Sequence, residues 1–322
     1  MMSVKKILKA LKDNKSFLIS THISPDPDAL SSELILAAYL KSIGKRVFIV
    51  NEEEIPERFL FMPYAKWVKK YDPRKKPDYD CAIIVDCGEL SRVGRVAEMI
   101  DTNKELINID HHITNDKFGR LNLIAPKASS TAEVLYDLLI TKNRVKLNRN
   151  LAALIYLGIM TDTGSFRYEN TAPHTHQVAS ELLKYNINPP ELYKIVYESV
   201  PLNDIASFTK VVSNFDALDK GRIILVTLRK NVVAKFSQDF DLRDKIFRFL
   251  RTTKGVEVLV ILTEHKKNLT RINLRSQGKV DVAKLASYFG GGGHKKASGC
   301  MIDGALPQAR TKLLRQLRKE LK

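Results

Sequence analysis

Only three cysteines occur in the 322 residues, Cys81, Cys87 and Cys300. The number is odd and no C-x-x-C pair is present, so neither a disulfide framework nor a cysteine zinc motif follows. That usage points to a reducing compartment and a cytoplasmic protein. Long apolar runs are also missing. The apolar run from Ala152 to Met160 falls far short of the roughly 20 residues that a membrane span requires. Met1 to Leu18 alternates lysines with Val4, Ile7, Leu8 and Leu11, which reads as an amphipathic surface helix and not as the apolar core of a signal peptide. Glycine and proline are not enriched, no internal repeat is evident, and low complexity is confined to Gly290 through Gly293. Fibrous, disordered and membrane-spanning classes are thereby excluded.

What is present is a surplus of positive charge. Lys and Arg number 53 against 36 Asp and Glu, a net charge of +17. Such a surplus favours anionic partners, nucleic acid or nucleotides before a membrane surface. Solvated lysine faces would account for the same charge. At roughly 150 residues per domain, the length suggests two domains.

Along the chain, Ser16 to Thr21 reads as a buried strand, followed by the polar loop His22-Ile23-Ser24-Pro25-Asp26-Pro27-Asp28 and a helix stopping at Gly44. Strands follow at 46–50, 81–86 and 105–110. The last two are continuous apolar runs ending in Asp86 and Asp110. Fully apolar strands alternating with helices predict a parallel sheet covered on both faces. Helices are expected at 130–142 and 149–161, the second running into Asp162, with more over 173–215. Near Gly221 the texture changes to strands at 222–228, 256–262 and 270–276, with helices at 240–251, 281–289 and 306–321. The domain boundary therefore lies within helical sequence, at about 190–218.

Acidic residues stand at three strand ends: Asp26 and Asp28, Asp86, and Asp110 beside His111 and His112. Open parallel sheets hold their ligands at the carboxyl ends of their strands, so these side chains should share one crevice, with Asp162 adding a carboxylate. Carboxylates crowded together repel and raise one another's pKa. Two divalent cations sharing a bridging carboxylate would resolve that conflict. Mixed imidazole and carboxylate ligands suit Mn, Fe or Co better than Mg. Each residue has a plainer reading: Asp28 could cap its helix, Asp86 could begin a turn with Gly88, and the histidines could be loop residues. Their common placement at strand ends favours a site. Ser130 and Thr131 read as a helix cap before phosphate donors.

The segments HISPDPDA (22–29), VDCG (85–88), DHH (110–112) and MTDTGSFRY (160–168) resemble the four motifs of the DHH phosphoesterase superfamily. RSQG (275–278) and GGGGHKKASG (290–299) resemble its DHHA1 substrate domain. The six motifs follow the family's order across nearly the whole chain. In size and motif set the chain is similar to the stand-alone nanoRNase/pAp phosphatase group and to related phosphodiesterases acting on cyclic di-AMP products. One departure is Pro27, where the family often has glycine.

The resemblance implies an α/β fold: a DHH catalytic domain with a mostly parallel sheet over 1–190, a helical linker over 191–218, and a smaller α/β DHHA1 domain over 219–322. It implies one metal held by His22, Asp26 and Asp86 and another by Asp28, Asp86, His111 and Asp162. Mn2+ is expected, with Mg2+ or Co2+ as alternatives. Asp110 would orient an imidazole, and His112 would stand by the scissile phosphate. Arg275, Ser276, Gly291, Gly292, Gly293 and His294 would take the terminal nucleotide, with Arg167 a further phosphate contact. Lys295 and Lys296 are as readily plain surface charges. The expected activity is hydrolysis, by hydroxide that both metals activate, of short oligoribonucleotides and small nucleotides (pAp or pApA to AMP, and cyclic di-AMP). No membrane partner is expected, and a homodimer is an open expectation. The competing readings are a RecJ-like exonuclease, a manganese pyrophosphatase and a non-catalytic nucleotide-binding module.

Overall fold

Strands without polar alternation can be buried on both faces only if helices cover each side, and the N-terminal part of the chain folds that way. The computed structural model describes residues 2–198, 200–237 and 240–321. The chain divides into two compact units, Met1–Val196 and Tyr197–Lys322.

The first unit runs α1 (Met2–Asp13), β1 (Ser16–Ser20), α2 (Pro27–Ser42), β2 (Arg46–Asn51), β3 (Val68–Lys70), β4 (Cys81–Val85), β5 (Glu105–Asp110), β6 (Leu121–Ile124), α3 (Thr131–Leu135), α4 (Arg149–Asp162), α5 (Pro173–Leu183) and α6 (Pro189–Tyr193). The sheet order is β3-β2-β1-β4-β5-β6, and every pairing is parallel. β1 and β4 are buried along their whole length. One face of the sheet, with Leu18 and Ala82, packs under Tyr71, Tyr79, Val96 and Met99. Chain order reverses between β1 and β4, and in an open sheet that switch point leaves a crevice at the strands' carboxyl ends. The helix expected over 130–142 is α3 followed by a π-helical turn, Tyr136–Lys142. The sequence has no local mark of that change in winding. β3 and β6 are short edge strands, respectively two-thirds exposed and half-buried, so no alternation marks them.

The second unit holds α7 (Leu202–Ser213), β7 (Phe215–Leu218), β8 (Ile223–Leu228), α8 (Lys230–Val233), α9 (Leu242–Leu250), β9 (Val258–Lys266), β10 (Leu269–Ser276), α10 (Val282–Ser287), β11 (Gly292–His294), β12 (Ala297–Asp303) and α11 (Leu306–Glu320). Its sheet, β11-β12-β10-β9-β8-β7, is parallel only between β8 and β9. Ile223, Leu225, Val260 and Leu274 pack against Leu313 and Leu317 of α11, while Ile224, Val226 and Ile261 pack against Ile246 and Phe247 of α9. Burying each such side chain contributes about 1.5–3 kcal/mol. β10 alternates strictly, with every second residue buried and Arg271, Asn273 and Arg275 on the other face. The chain is thus mixed α/β, as the motif order implied. No described helix is long and apolar enough to cross a membrane.

Candidate metal centre

The register of the first sheet sets the site. Ser20 pairs with Ile84, and Ile84 with Asn108. The Asp86 amide continues the ladder to the Ile109 carbonyl at 3.0 Å. Two residues further on, His22, Asp86 and Asp110 leave three adjacent strands at one level, with strands about 4.8 Å apart. Asp86 has φ of +51°, a left-handed backbone that costs an L-residue about 1–2 kcal/mol. Such strain persists only where surrounding contacts hold it.

Two helices bring the remaining carboxylates. Asp26 caps α2, its Oδ1 accepting the amides of Asp28 and Ala29 at 3.0 Å. Pro27 occupies the first helical position, where its fixed φ suits the helix and its missing N–H leaves nothing unpaired. Asp28 is therefore not the cap. It is buried, and its two oxygens accept the amides of Thr131 at 2.8 Å and Ala132 at 3.0 Å. Helix α4 approaches this point through Gly158, where a Cβ would lie 2.5 Å from Asp28 Oδ1, and it ends at Asp162.

His22, Asp26 and Asp86 each offer a donor atom within 4.8 Å of the others, and so do Asp28, His111 and Asp162. Asp86 faces both groups. Its Oδ2 lies 3.7 Å from His22 Nε2 and its Oδ1 lies 3.6 Å from His111 Nε2. Asp162 Oδ2 is 3.4 Å from the same His111 nitrogen. His22 Nδ1 faces the Ile23 carbonyl at 2.9 Å and His111 Nδ1 the Ala128 carbonyl at 3.3 Å. A carbonyl only accepts, so each Nδ1 carries a proton and each Nε2 is the ring atom turned toward carboxylate, where a deprotonated nitrogen sets one acceptor against another. Acceptors facing acceptors repel, and a cation between them removes the conflict. Nitrogen and carboxylate donors together fit a divalent transition metal.

The electrostatics agree. Burial, then the charges of Asp86, Asp162 and Asp26, push Asp28 well above the usual carboxylate range. Burial, with Asp26 and Asp86, does the same to Asp162. Burial would also raise Asp86, but His22, His112 and His111 hold it low. Asp110 is the partner of His112, with Nδ1 2.6 Å from its Oδ1. It also accepts from the His111 amide at 2.8 Å and the Asn115 side chain at 2.6 Å. Against burial, these bonds hold Asp110 low, and Asp110 and Asp86 raise His112 above an ordinary imidazole. Asn115 was not singled out from the sequence, because a polar loop residue five places after Asp110 carries no spacing signal. Of the two residues read as a cap, Ser130 accepts from the Glu133 amide at 3.1 Å, while the Thr131 hydroxyl donates to Asp86 Oδ1 at 2.8 Å.

Arg167 follows Asp162 by five residues. Gly164, Ser165 and Phe166 all have positive φ, of 56°, 64° and 63°. The exposed Arg167 donates its Nε to the Gly164 carbonyl at 2.8 Å, closing that left-handed turn. In the second unit, Arg275 and His294 both pair with Ala297 and so share one row and face of the sheet. The Arg275 guanidinium lies 4.8 Å over the Phe247 ring. Ser276 is buried and donates to the Gly278 carbonyl at 3.3 Å. The glycine run is not a loose loop, since Gly292 and His294 bound strand β11. A Cβ on Gly291 would lie 2.2 Å from the Gly299 carbonyl oxygen, and one on Gly293 would lie 2.6 Å from that of Ala297. Those two glycines answer to the backbone of β12, whereas Gly292 has open space beside it. Lys296 donates to the Gly278 carbonyl at 2.6 Å.

Residues 16–159 match the family model described as the DHH family, N-terminal domain, and residues 229–322 match the DHHA1 domain. The bifunctional oligoribonuclease and PAP phosphatase NrnA of Thermus thermophilus is 33% identical, over 100% of this chain and 94% of that protein. The Bacillus subtilis protein of the same name is 28% identical, over 92% of each chain. The crystal structure of an exopolyphosphatase-related protein from Bacteroides fragilis is similar with a TM-score of 0.87, at 27% identity over 99% of this chain and 96% of that one.

Proposed function

The chain belongs to the DHH family, and from that premise we propose that it hydrolyses phosphoester bonds in short oligoribonucleotides and pAp, releasing AMP from pAp and pApA. The observation that carries this reading is one carboxylate, Asp86, facing two separate donor groups. His22, Asp26 and Asp86 would hold one divalent cation, and Asp28, His111 and Asp162, with Asp86 in common, a second. The mixed donors favour Mn2+ over Mg2+. Such ions polarise a phosphoryl oxygen and acidify water.

The protein's own groups supply the rest. Asp110 keeps the His112 proton on Nδ1 and favours the charged ring. The imidazolium then has a second proton, on Nε2, to give to a departing oxygen. In the second unit, Arg275 and His294 on one sheet face, with the backbone of Gly291 to Gly293, would take a terminal phosphate. A guanidinium held over an aromatic ring is a pre-oriented phosphate donor. Capture by a terminal phosphate selects substrates by their ends, and short chains present more ends per nucleotide. Two relatives are named for oligoribonucleotide and pAp hydrolysis, which supports that class. Linear and cyclic di-AMP carry the same phosphodiester.

The test offers full-length protein with MnCl2 a parallel panel of pAp, pApA, cyclic di-AMP, long RNA and pyrophosphate, with product analysis. AMP from pAp and pApA, with slow turnover of long RNA and pyrophosphate, is the expected result. Pyrophosphate as the best substrate, or no turnover of any, refutes the reading.

A further inference from the structure

Thr131, wholly buried at the start of α3, touches carboxylates from two distant parts of the chain. Its hydroxyl donates to Asp86 Oδ1 at 2.8 Å and its amide to Asp28 Oδ2 at 2.8 Å. The neighbouring hydroxyls have other partners. Ser130 Oγ accepts the Glu133 amide at 3.1 Å and caps the helix, and Ser129 Oγ donates to Glu133 Oε2 at 2.6 Å. The Thr131 hydroxyl is thus not needed for capping.

The contacts around Asp86 differ in kind. His22, His111 and His112 present ring nitrogens to its carboxylate at 3.7, 3.6 and 3.8 Å. At those lengths a hydrogen bond is too weak to fix the rotation of a carboxylate. The Thr131 bond, at 2.8 Å, is of full strength. It sets the plane of the carboxylate so that Oδ2 faces His22 and Oδ1 faces His111. It also supplies a proton to a charge that burial would otherwise penalise.

We propose that Thr131 is a positioning residue for cation binding, holding the Asp86 carboxylate so that its two oxygens serve two ions while its amide holds Asp28 beside them. This rests on the reading of the site as a two-cation centre. Groups that orient ligands in this way are typically worth about 10–100-fold in metal affinity. Thr131→Val keeps the shape and removes the hydroxyl. Thr131→Ser keeps the hydroxyl and removes the methyl.

The experiment is calorimetric titration of the metal-free full-length protein with MnCl2, which reads stoichiometry and affinity without turnover. Wild type should bind two equivalents. Thr131→Val should bind about 10–100-fold more weakly. Thr131→Ser should stay within about threefold of wild type, since the orienting hydroxyl is kept. Thr131→Val binding Mn2+ as tightly as wild type overturns the positioning role and leaves the two-cation reading intact. So does a tenfold or larger loss in Thr131→Ser, about what removing an orienting group costs, which decides the matter even if the valine variant does not fold. Wild type binding no Mn2+ overturns the site reading and this inference together.

Discussion

Gly158→Ala sets two magnitudes against each other. Within a helix, replacing glycine by alanine ordinarily stabilises by about 0.8–1.0 kcal/mol. In α4 the new Cβ would stand 2.5 Å from Asp28 Oδ1 and 2.6 Å from the Ala132 Cβ, where ordinary contact begins at 3.4 Å. Neither neighbour is the free end of a flexible chain. Asp28 is tied by the Thr131 and Ala132 amides, and Ala132 belongs to α3. Overpacking of this kind costs about 1–3 kcal/mol, and loosening the Asp28 bonds costs about 1 kcal/mol more. The clash therefore wins, with a net loss of about 1–3 kcal/mol and a melting temperature several degrees lower. The functional effect should be larger. Relieving the overlap moves the Asp28 carboxylate or α4 by close to an ångström, and displacement on that scale costs about 10²-fold in rate. Thermal unfolding and kcat/KM for pAp with MnCl2 measure the two effects separately. A variant more stable than wild type with undiminished kcat/KM would show that helix propensity decides and that the close approach of α4 to Asp28 is irrelevant.

Asp110→Asn should lower kcat by about 10²-fold or more and move the alkaline limb of the pH–rate profile down, because Asp110 helps keep His112 protonated. An unmoved limb refutes that role. Burial pushes the Glu33 carboxyl from 4.5 up to about 8, against the Asn51 amide 2.9 Å away and the His22 charge. The folded chain keeps this proton while the unfolded chain loses it above 4.5, so the contribution is full at low pH and is lost as pH rises through about 8. Glu33→Gln should flatten the pH dependence of the denaturation midpoint across that window, and an unchanged slope counts against it. Ser165 has φ of 64° and a buried Oγ without a hydrogen-bond partner. Ser165→Gly should therefore stabilise the fold by about 1 kcal/mol, and a lower melting temperature would contradict this.

The parts of the fold and site legible in the sequence are those with local causes. Runs such as Cys81 to Val85 are apolar throughout, so they could only be strands buried on both faces, and their ends located the acidic residues. Pro27 looked like a departure in a loop, and becomes intelligible once Asp26 is seen to cap α2 with Pro27 in the first helical position. Four glycines in a row give no strand signal, yet β11 forms because Gly291 and Gly293 let the chain lie against the backbone of β12. Thr131 was weighed only as a cap or a phosphate donor. Its bond to Asp28 crosses 103 residues and its bond to Asp86 crosses 45. The need for glycine at 158 likewise comes from α2 and α3, far along the chain. Periodicity and propensity describe neighbours in sequence, and these constraints are made by neighbours in space.

The same crowding sets how cation binding should depend on pH. Asp28 and Asp162, raised by burial and by each other's neighbours, hold protons in the metal-free chain at pH values where ordinary carboxylates are ionised. Asp86, held low by three imidazoles, does not. The two raised groups contribute stability that is full at low pH and is lost as pH rises through their folded values. Asp86 contributes stability present above the ordinary carboxylate range and lost only as pH falls. Divalent cations take carboxylate in its ionised form, so binding must displace the protons on Asp28 and Asp162. Mn2+ affinity should then rise with pH, and titration in buffers of different ionisation enthalpy should show protons released on binding, fewer as pH increases. The metal-free protein should lose melting temperature as pH rises, and added Mn2+ should restore more of it at the alkaline end. Equal stabilisation by Mn2+ at every pH, with no buffer dependence of the heat, would mean that Asp28 and Asp162 are already ionised without the metal, and that something other than a cation relieves their repulsion.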